Sequence, residues 1–202
     1  MENKLIFAVD VDAVLRDNLD TMLDLYNKEF NDNMKLEDLT EYRTDISFPR
    51  IYAETGVTAQ HWFFQDHSDE LFLHAKPYPH VAEDMERLRK LGTVVIVTYQ
   101  KTIKNKTQTL EWLEKNGIGY DSILFTKDKS VLKCDYMIDD NDWNFLGCNA
   151  KAGYLVTEPY NKFTSESYLL RNSNCHYIKR CNSFHEFVDE MVIKHSNDII
   201  LT

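Results

Sequence analysis

The feature that most narrows the choice of fold is a repeated habit: short, β-branched apolar runs that each stop abruptly at a polar residue. Five runs share it, KLIFAVD (4–10), TVVIVT (93–98), SILFT (122–126), YMIDD (136–140) and GYLVT (153–157). Runs of this length and composition read as strands, and strands that are apolar throughout belong to a sheet covered on both faces. Helix patterns lie between them. VAEDMERLRKLG (81–92) and QTLEWLEKNG (108–117) each close with Lys followed shortly by Gly, a C-terminal stop signal. Strand, helix, strand at this spacing predicts parallel βαβ units, so the fold class is α/β with a central parallel sheet flanked by helices. Right-handed crossovers then bring the strand C-termini to one edge, where such sheets bind ligands.

The residues that end the first four runs are chemically loaded: Asp10 with Asp12, Thr98, Thr126 just before Lys129, and Asp139 with Asp140. An unpartnered buried charge is very costly, so carboxylates at the ends of core strands imply a counter-charge. Between Asp17 and Pro77 the alternation stops. NLDTMLDLYNKEF, KLEDLTEYR and AQHWFFQDHSDELF read as helical pieces, which predicts a small helical cap (18–77) inserted after the first strand into a core made of 1–17 and 78–202. The tail adds a loop containing EPYNKFTSES, a further strand HYIKR and a closing helix SFHEFVDEMVIK.

The chain has 202 residues, 43% hydrophobic and 28% charged, which fits one globular domain with a lobe. Its net charge of -10 argues against a surface for long nucleic acid, because phosphate neutralisation needs clustered Lys and Arg. Cys134, Cys148, Cys175 and Cys181 form no CxxC pair, and no secretory leader precedes Leu5. The cysteines therefore read as free thiols, and the expected location is the cytoplasm. No apolar run is long enough to span a bilayer, and the scattered histidines lack zinc-site spacing.

Taken one at a time, the motifs have plain readings. Asp10 and Asp12 could form a turn or a Ca²⁺ site, and Asp139, Asp140 and Asn141 could form an Asx turn. Lys129 could belong to a solvated loop, and Thr98 could cap the next helix. Taken together and in order, DVDAVL, VIVT, Lys129 and MIDD resemble the four motifs of the haloacid dehalogenase-like hydrolase superfamily. The resemblance implies a Rossmann-like core and a phosphatase. In it Asp10 attacks phosphorus to form an aspartyl-phosphate, and Asp12 protonates the leaving oxygen and then activates water. Mg²⁺ would be bound by Asp10, the Asp12 carbonyl and Asp140 or Asp139. Lys129 and Thr98 would hold the phosphate.

FTKDKSVLKCDYMIDD, ELFLHAKPYPHVAEDM and DVDAVLRD narrow the resemblance to the 5'(3')-deoxyribonucleotidases, over about Lys4 to Asn161. That family implies a Mg²⁺-dependent enzyme acting on nucleoside monophosphates, a homodimer, and an aromatic pocket closed over the base. The candidates for substrate contact are Phe72, Trp62, Phe63 and Tyr99, against the plainer reading that such aromatics form the cap's own core. Other readings remain at this stage: a phosphatase for polynucleotide 3'-phosphates or another metabolite, or a non-catalytic nucleotide-binding protein. Lys101, Lys104 and Lys106 could steer a phosphate but fit a solvated helix face better. Several positions depart from the family pattern. Ala13 and His80 stand where it has Gly, Tyr99 and Gln100 follow Thr98 where it has Ser and Pro, and Asn18 replaces an aromatic. An alanine at position 13 is easily accommodated if its φ is negative.

Overall fold

The computed structural model describes residues 4–199. Six strands form one parallel sheet: β1 (Leu5–Val9), β2 (Gly92–Thr98), β3 (Ser122–Phe125), β4 (Cys134–Asp139), β5 (Ala150–Val156) and β6 (Tyr177–Cys181). Their order is β3-β2-β1-β4-β5-β6, as expected for a Rossmann-like core, and the last strand is the HYIKR segment. β1 lies in the middle, with Val9 level with Ile96 of β2 on one side and Ile138 of β4 on the other. The chain winds outward from β1 in one direction through β2 and β3, then returns to β4 and winds the other way. The direction therefore reverses between the C-terminal ends of β1 and β4, the place where open α/β sheets leave a crevice.

Successive side chains of β1 point to opposite faces and serve two cores. Phe7 and Val9 pack with Val81, Met85 and Leu88 of α5 (Val81–Leu91) and with Phe187, Val188 and Met191 of the closing helix (Phe184–Ile199). Ala8 joins Met137, Phe145, Leu155 and Leu169 on the other face. The two helix stops work differently. Gly117, after α6 (Ile103–Lys115), takes the left-handed conformation at φ 64°, as a C-terminal Gly should. Gly92, after α5, is extended, and it is glycine for another reason: a Cβ there would lie 2.3 Å from the Leu5 carbonyl oxygen. Sheet pairing to β1 demands that close approach.

The elements between β1 and α5 are all helical. α1 (Asn18–Phe30) begins at Asp17, whose carboxylate accepts the Asp20 N–H at 3.1 Å. KLEDLTEYR makes only a 3₁₀ turn over Leu36–Asp38, because the Asp38 carboxylate turns back to accept the Lys35 N–H. α2 (Thr44–Ser47), α3 (Pro49–Thr55) and α4 (Ala59–His61) follow, and then two π-helical turns, Trp62–Asp66 and Glu70–His74. This lobe has its own core of Leu23, Tyr26, Phe30, Phe48, Ile51, Phe63 and Leu71. α6 grips the π turns with polar side chains. Lys104 pairs with Asp69 at 2.8 Å, Gln108 donates to Asp69 at 2.6 Å, and Asn105 donates to the Phe64 carbonyl at 3.1 Å. Lys104 makes this contact from an exposed position, with its side chain 60% accessible, so the solvated-face reading of that run holds there. α7 (Glu166–Arg171) and α8, the closing helix, complete the chain. Among the described residues, no helix is long and apolar enough to cross a membrane.

Candidate active site

The reversal point collects the acidic residues. Asp10 follows β1, its N–H donating to the Ile138 carbonyl at 3.1 Å, and Asp139 and Asp140 end β4 beside it. All three are buried, and each offers a carboxylate oxygen within 4.8 Å of the others. Three like charges so close could not share a dry site without a cation.

Lys129 supplies one positive charge. It arrives from the turn after β3, where the Asp128 side chain accepts the Ser130 N–H and so starts a 3₁₀ turn that aims Lys129 inward. Its Nζ donates to Asp139 Oδ2 at 2.6 Å and lies 2.9 Å from Asp10 Oδ1. Burial alone would pull the Lys129 pKa down, but Asp10 and Asp139 outweigh it and raise it above the usual lysine range. Burial pushes the Asp10 carboxyl up to about 7 even with Lys129 opposing, and pushes Asp140 well up, with Asp139 and Asp10 adding to the effect.

The two carboxylates after β4 differ in how fully they are engaged. Asp139 uses one oxygen on Lys129, while the other accepts the Asn141 N–H at 3.0 Å and the Asn144 side chain at 2.9 Å. Asp140 accepts from the Tyr160 hydroxyl, and its carbonyl accepts from Asn161 at 2.7 Å. Asp10 Oδ1 is paired with the Lys129 ammonium at 2.9 Å. This buried all-oxygen cluster, in which Asp140 is the less engaged carboxylate after β4, fits a hard divalent cation such as Mg²⁺, which prefers carboxylate and carbonyl oxygen.

Asp12 sits on the next turn with its carboxylate a quarter exposed. Arg16 donates to its Oδ1 through Nε at 2.9 Å and Nη2 at 2.7 Å, and Gln100 donates to its Oδ2 at 2.9 Å. Ala13 follows with a left-handed backbone, φ 56°, so the condition of a negative φ under which its Cβ would be tolerated is not met. The turn keeps a glycine-type conformation at a cost of about 1 kcal/mol, and the Ala13 N–H is secured by the Asn18 side chain at 2.9 Å. His80, the other residue at a glycine position, is likewise left-handed at φ 66°.

Thr98 is buried at the end of β2, on the strand that flanks β1. Tyr99 is half exposed beside it. The three candidate aromatics of the lobe are buried. Trp62 and Phe63 turn into the lobe core, their rings 5.8 Å from Phe30 and 4.9 Å from Phe48 respectively. Phe72 is 1% exposed, with the Arg16 guanidinium carbon 5.0 Å from its ring centre. All three are buried, because aromatics at helical spacing bury most area against one another.

Two tyrosines at the site were not anticipated. Tyr160 comes from the EPYNKFTSES loop, and Tyr42 comes from the lobe and meets it edge-on at 5.5 Å. The Tyr42 ring is half exposed, and the crowding of protein around its hydroxyl, with Asp140, Asp10 and Asp139 nearby, pushes that hydroxyl above the ordinary tyrosine range. Tyr160 lies in no periodic segment or motif, and Tyr42 lies near the end of KLEDLTEYR, where nothing in the helical pattern singles it out. The signal available for Arg16 was stronger, since an arginine inside the apolar stretch VDAVLRD must find a buried partner.

Comparison with known proteins adds relationships to this geometry. The family described as "5' nucleotidase, deoxy (Pyrimidine), cytosolic type C protein" matches residues 4–193. "Putative nucleotidase YqfW" of Bacillus subtilis (strain 168) is 22% identical over 87% of this chain and 98% of its own length. A "Putative 5'(3')-deoxyribonucleotidase" of Staphylococcus aureus is 28% identical over 66% of this chain and 72% of its own. Among solved structures, a haloacid dehalogenase-like family hydrolase from Streptococcus pneumoniae superposes with a TM-score of 0.61 at 15% identity. It covers 95% of this chain and all of that one, and the likeness is one of fold.

Proposed function

Because this chain belongs to the cytosolic type C 5'-nucleotidase family, and is a 5'-nucleotidase-type phosphatase on a haloacid dehalogenase-like fold, we propose that it hydrolyses (deoxy)nucleoside monophosphates with Mg²⁺. The observation that carries the proposal is the cluster of Asp10, Asp139 and Asp140 around Lys129 at the reversal point of the sheet. A phosphate monoester is doubly anionic and very slow to hydrolyse, so a site must balance its charge and present an in-line nucleophile.

Asp10 is the nucleophile. Its carboxylate oxygen attacks phosphorus while the bond to the nucleoside oxygen breaks, giving an aspartyl-phosphate on Asp10 and a nucleoside oxygen that takes a proton from Asp12. Water then attacks the same phosphorus, Asp12 accepts its proton, the bond to Asp10 breaks, and inorganic phosphate leaves. Lys129, already within 2.9 Å of Asp10, holds Asp10 and the phosphoryl oxygens, and Thr98 receives another oxygen at the end of β2. Asp10, the Asp12 carbonyl and Asp140 would hold the metal, with Asp139 tied to Lys129 instead. When bound, the metal supplies charge neutralisation at the phosphoryl group.

In this reading residues 18–77 act as the cap that closes over the nucleoside, with Tyr99 at the rim. Phe72, Trp62 and Phe63 support that cap from within. The protein acts in the cytoplasm, as a homodimer. The net charge of -10 favours small substrates over long nucleic acid.

The test is phosphate release from a panel of 5'- and 3'-mononucleotides, a 3'-phosphorylated oligonucleotide and a sugar phosphate, with Mg²⁺ or with chelator. Release from mononucleotides that needs the metal and disappears in Asp10→Asn is expected. Absence of release from every mononucleotide, or release undiminished in Asp10→Asn, overturns the proposal.

A further inference from the structure

Arg16 is fully buried, and its guanidinium joins three parts of the molecule. It donates twice to Asp12 Oδ1, at 2.9 and 2.7 Å, on the loop after β1. Through Nη1 it donates to the Phe72 carbonyl of the second π turn at 2.7 Å. On α6 it reaches Thr109 Oγ1 at 3.3 Å, and it lies between the rings of Phe72 and Trp112, 5.0 and 5.1 Å from their centres. A planar guanidinium packed near two rings and fixed by its edge donors is restricted in orientation, and it restricts the Asp12 carboxylate it holds. Gln100 fixes the second oxygen at 2.9 Å from the opposite side.

We propose that Arg16 is the positioning residue of Asp12. It sets the direction in which the Asp12 carboxylate addresses the leaving oxygen and the attacking water, and through the Phe72 carbonyl it makes that direction depend on how the helical lobe is seated. The inference rests on the nucleotidase reading, in which Asp12 is the acid and base. A lysine cannot substitute, because one ammonium on a flexible stem does not span Asp12 and the Phe72 carbonyl in a fixed plane.

A double-mutant cycle tests it, with kcat and KM measured on whichever mononucleotide the parent protein turns over fastest. Arg16→Met fills the same volume without the donors, and Arg16→Lys keeps the charge and so remains informative if the methionine variant does not fold. In the Asp12-intact protein either substitution should lower kcat by about 10² fold, the lower range of what a positioned acid–base group contributes, with KM changed less than about threefold. In an Asp12→Ala background the same substitutions should lower the residual kcat by less than about threefold, because the group they position is gone. Equal losses in both backgrounds, or parental kcat in Arg16→Lys, overturn the positioning role while leaving the nucleotidase reading intact. Absence of mononucleotide turnover in the parent protein overturns the nucleotidase reading itself, and the positioning role with it.

Discussion

Replacing Lys129 with methionine removes the ammonium from a site whose carboxylates stay buried. Lys129 Nζ lies 2.6 Å from Asp139 and 2.9 Å from Asp10, and its side chain is 3% exposed. At an effective dielectric of about 20 each contact is a gross attraction of roughly 6 kcal/mol, most of which offsets the desolvation of the three charges. What the substitution exposes is the uncompensated remainder, and removing one partner of a buried pair costs about 3–5 kcal/mol. For a chain of this size a urea dependence of about 2.5 kcal/mol per molar converts that loss into a midpoint lower by roughly 1.5 M.

The loss has a pH signature. Without Lys129 the Asp10 and Asp140 carboxyls, already raised by burial, lose the charge that opposes the rise, so the folded state binds protons more tightly than the unfolded one. The variant then loses stability as pH rises. The assay is urea unfolding in chelator at pH 5.5 and pH 8, followed by the fluorescence of Trp112, which is fully buried. A midpoint within about 0.3 M of the parent at pH 8, or an equal loss at both pH values, would refute the electrostatic account.

Glu158 offers a second test away from the metal-binding carboxylates. Burial, with Asp17 adding to it, pushes its pKa from 4.5 up to about 7. The sign follows: stability from this group is full below about pH 4.5 and is lost as pH rises through 7, so Glu158→Gln should match the parent at pH 4 and exceed it by up to about 3 kcal/mol at pH 8 in paired urea titrations. A difference that does not change with pH would contradict it. His80→Gly should stabilise by roughly 0.5–1 kcal/mol in thermal or urea unfolding, since His80 is exposed and left-handed at φ 66°, whereas glycine at an ordinary exposed position destabilises. A stability loss in that variant would show that the strain is absent.

The parts of this molecule legible in sequence are those where one residue type has few physical options. Asp10, Asp139 and Lys129 had to share a place, because neither buried carboxylates nor a buried ammonium persist alone, and the parallel sheet followed from strands apolar on both faces. Backbone conformation was legible only where glycine marks it. Ala13 and His80 hide left-handed turns behind residues that normally avoid them. Gly92, by contrast, resembles a helix stop and is needed for a contact with Leu5, more than eighty residues earlier in the chain. Partners far apart in the chain were the least accessible. Arg16 meets Phe72 and Thr109, Tyr160 meets Asp140, and no local pattern encodes either meeting. The aromatics of the lobe were ambiguous for the opposite reason, since a stacking platform and a packed core use the same rings.

The central claim is that Asp10 carries the phosphoryl group during turnover, and the phosphoenzyme itself tests it most directly. The enzyme is mixed with the ³²P-labelled mononucleotide it hydrolyses fastest, quenched in acid within milliseconds, digested, and the labelled peptide identified. The account predicts base-labile label on the peptide containing Asp10 and none in Asp10→Asn. Label on another residue, or full turnover with no protein-bound phosphate at any time, would contradict it.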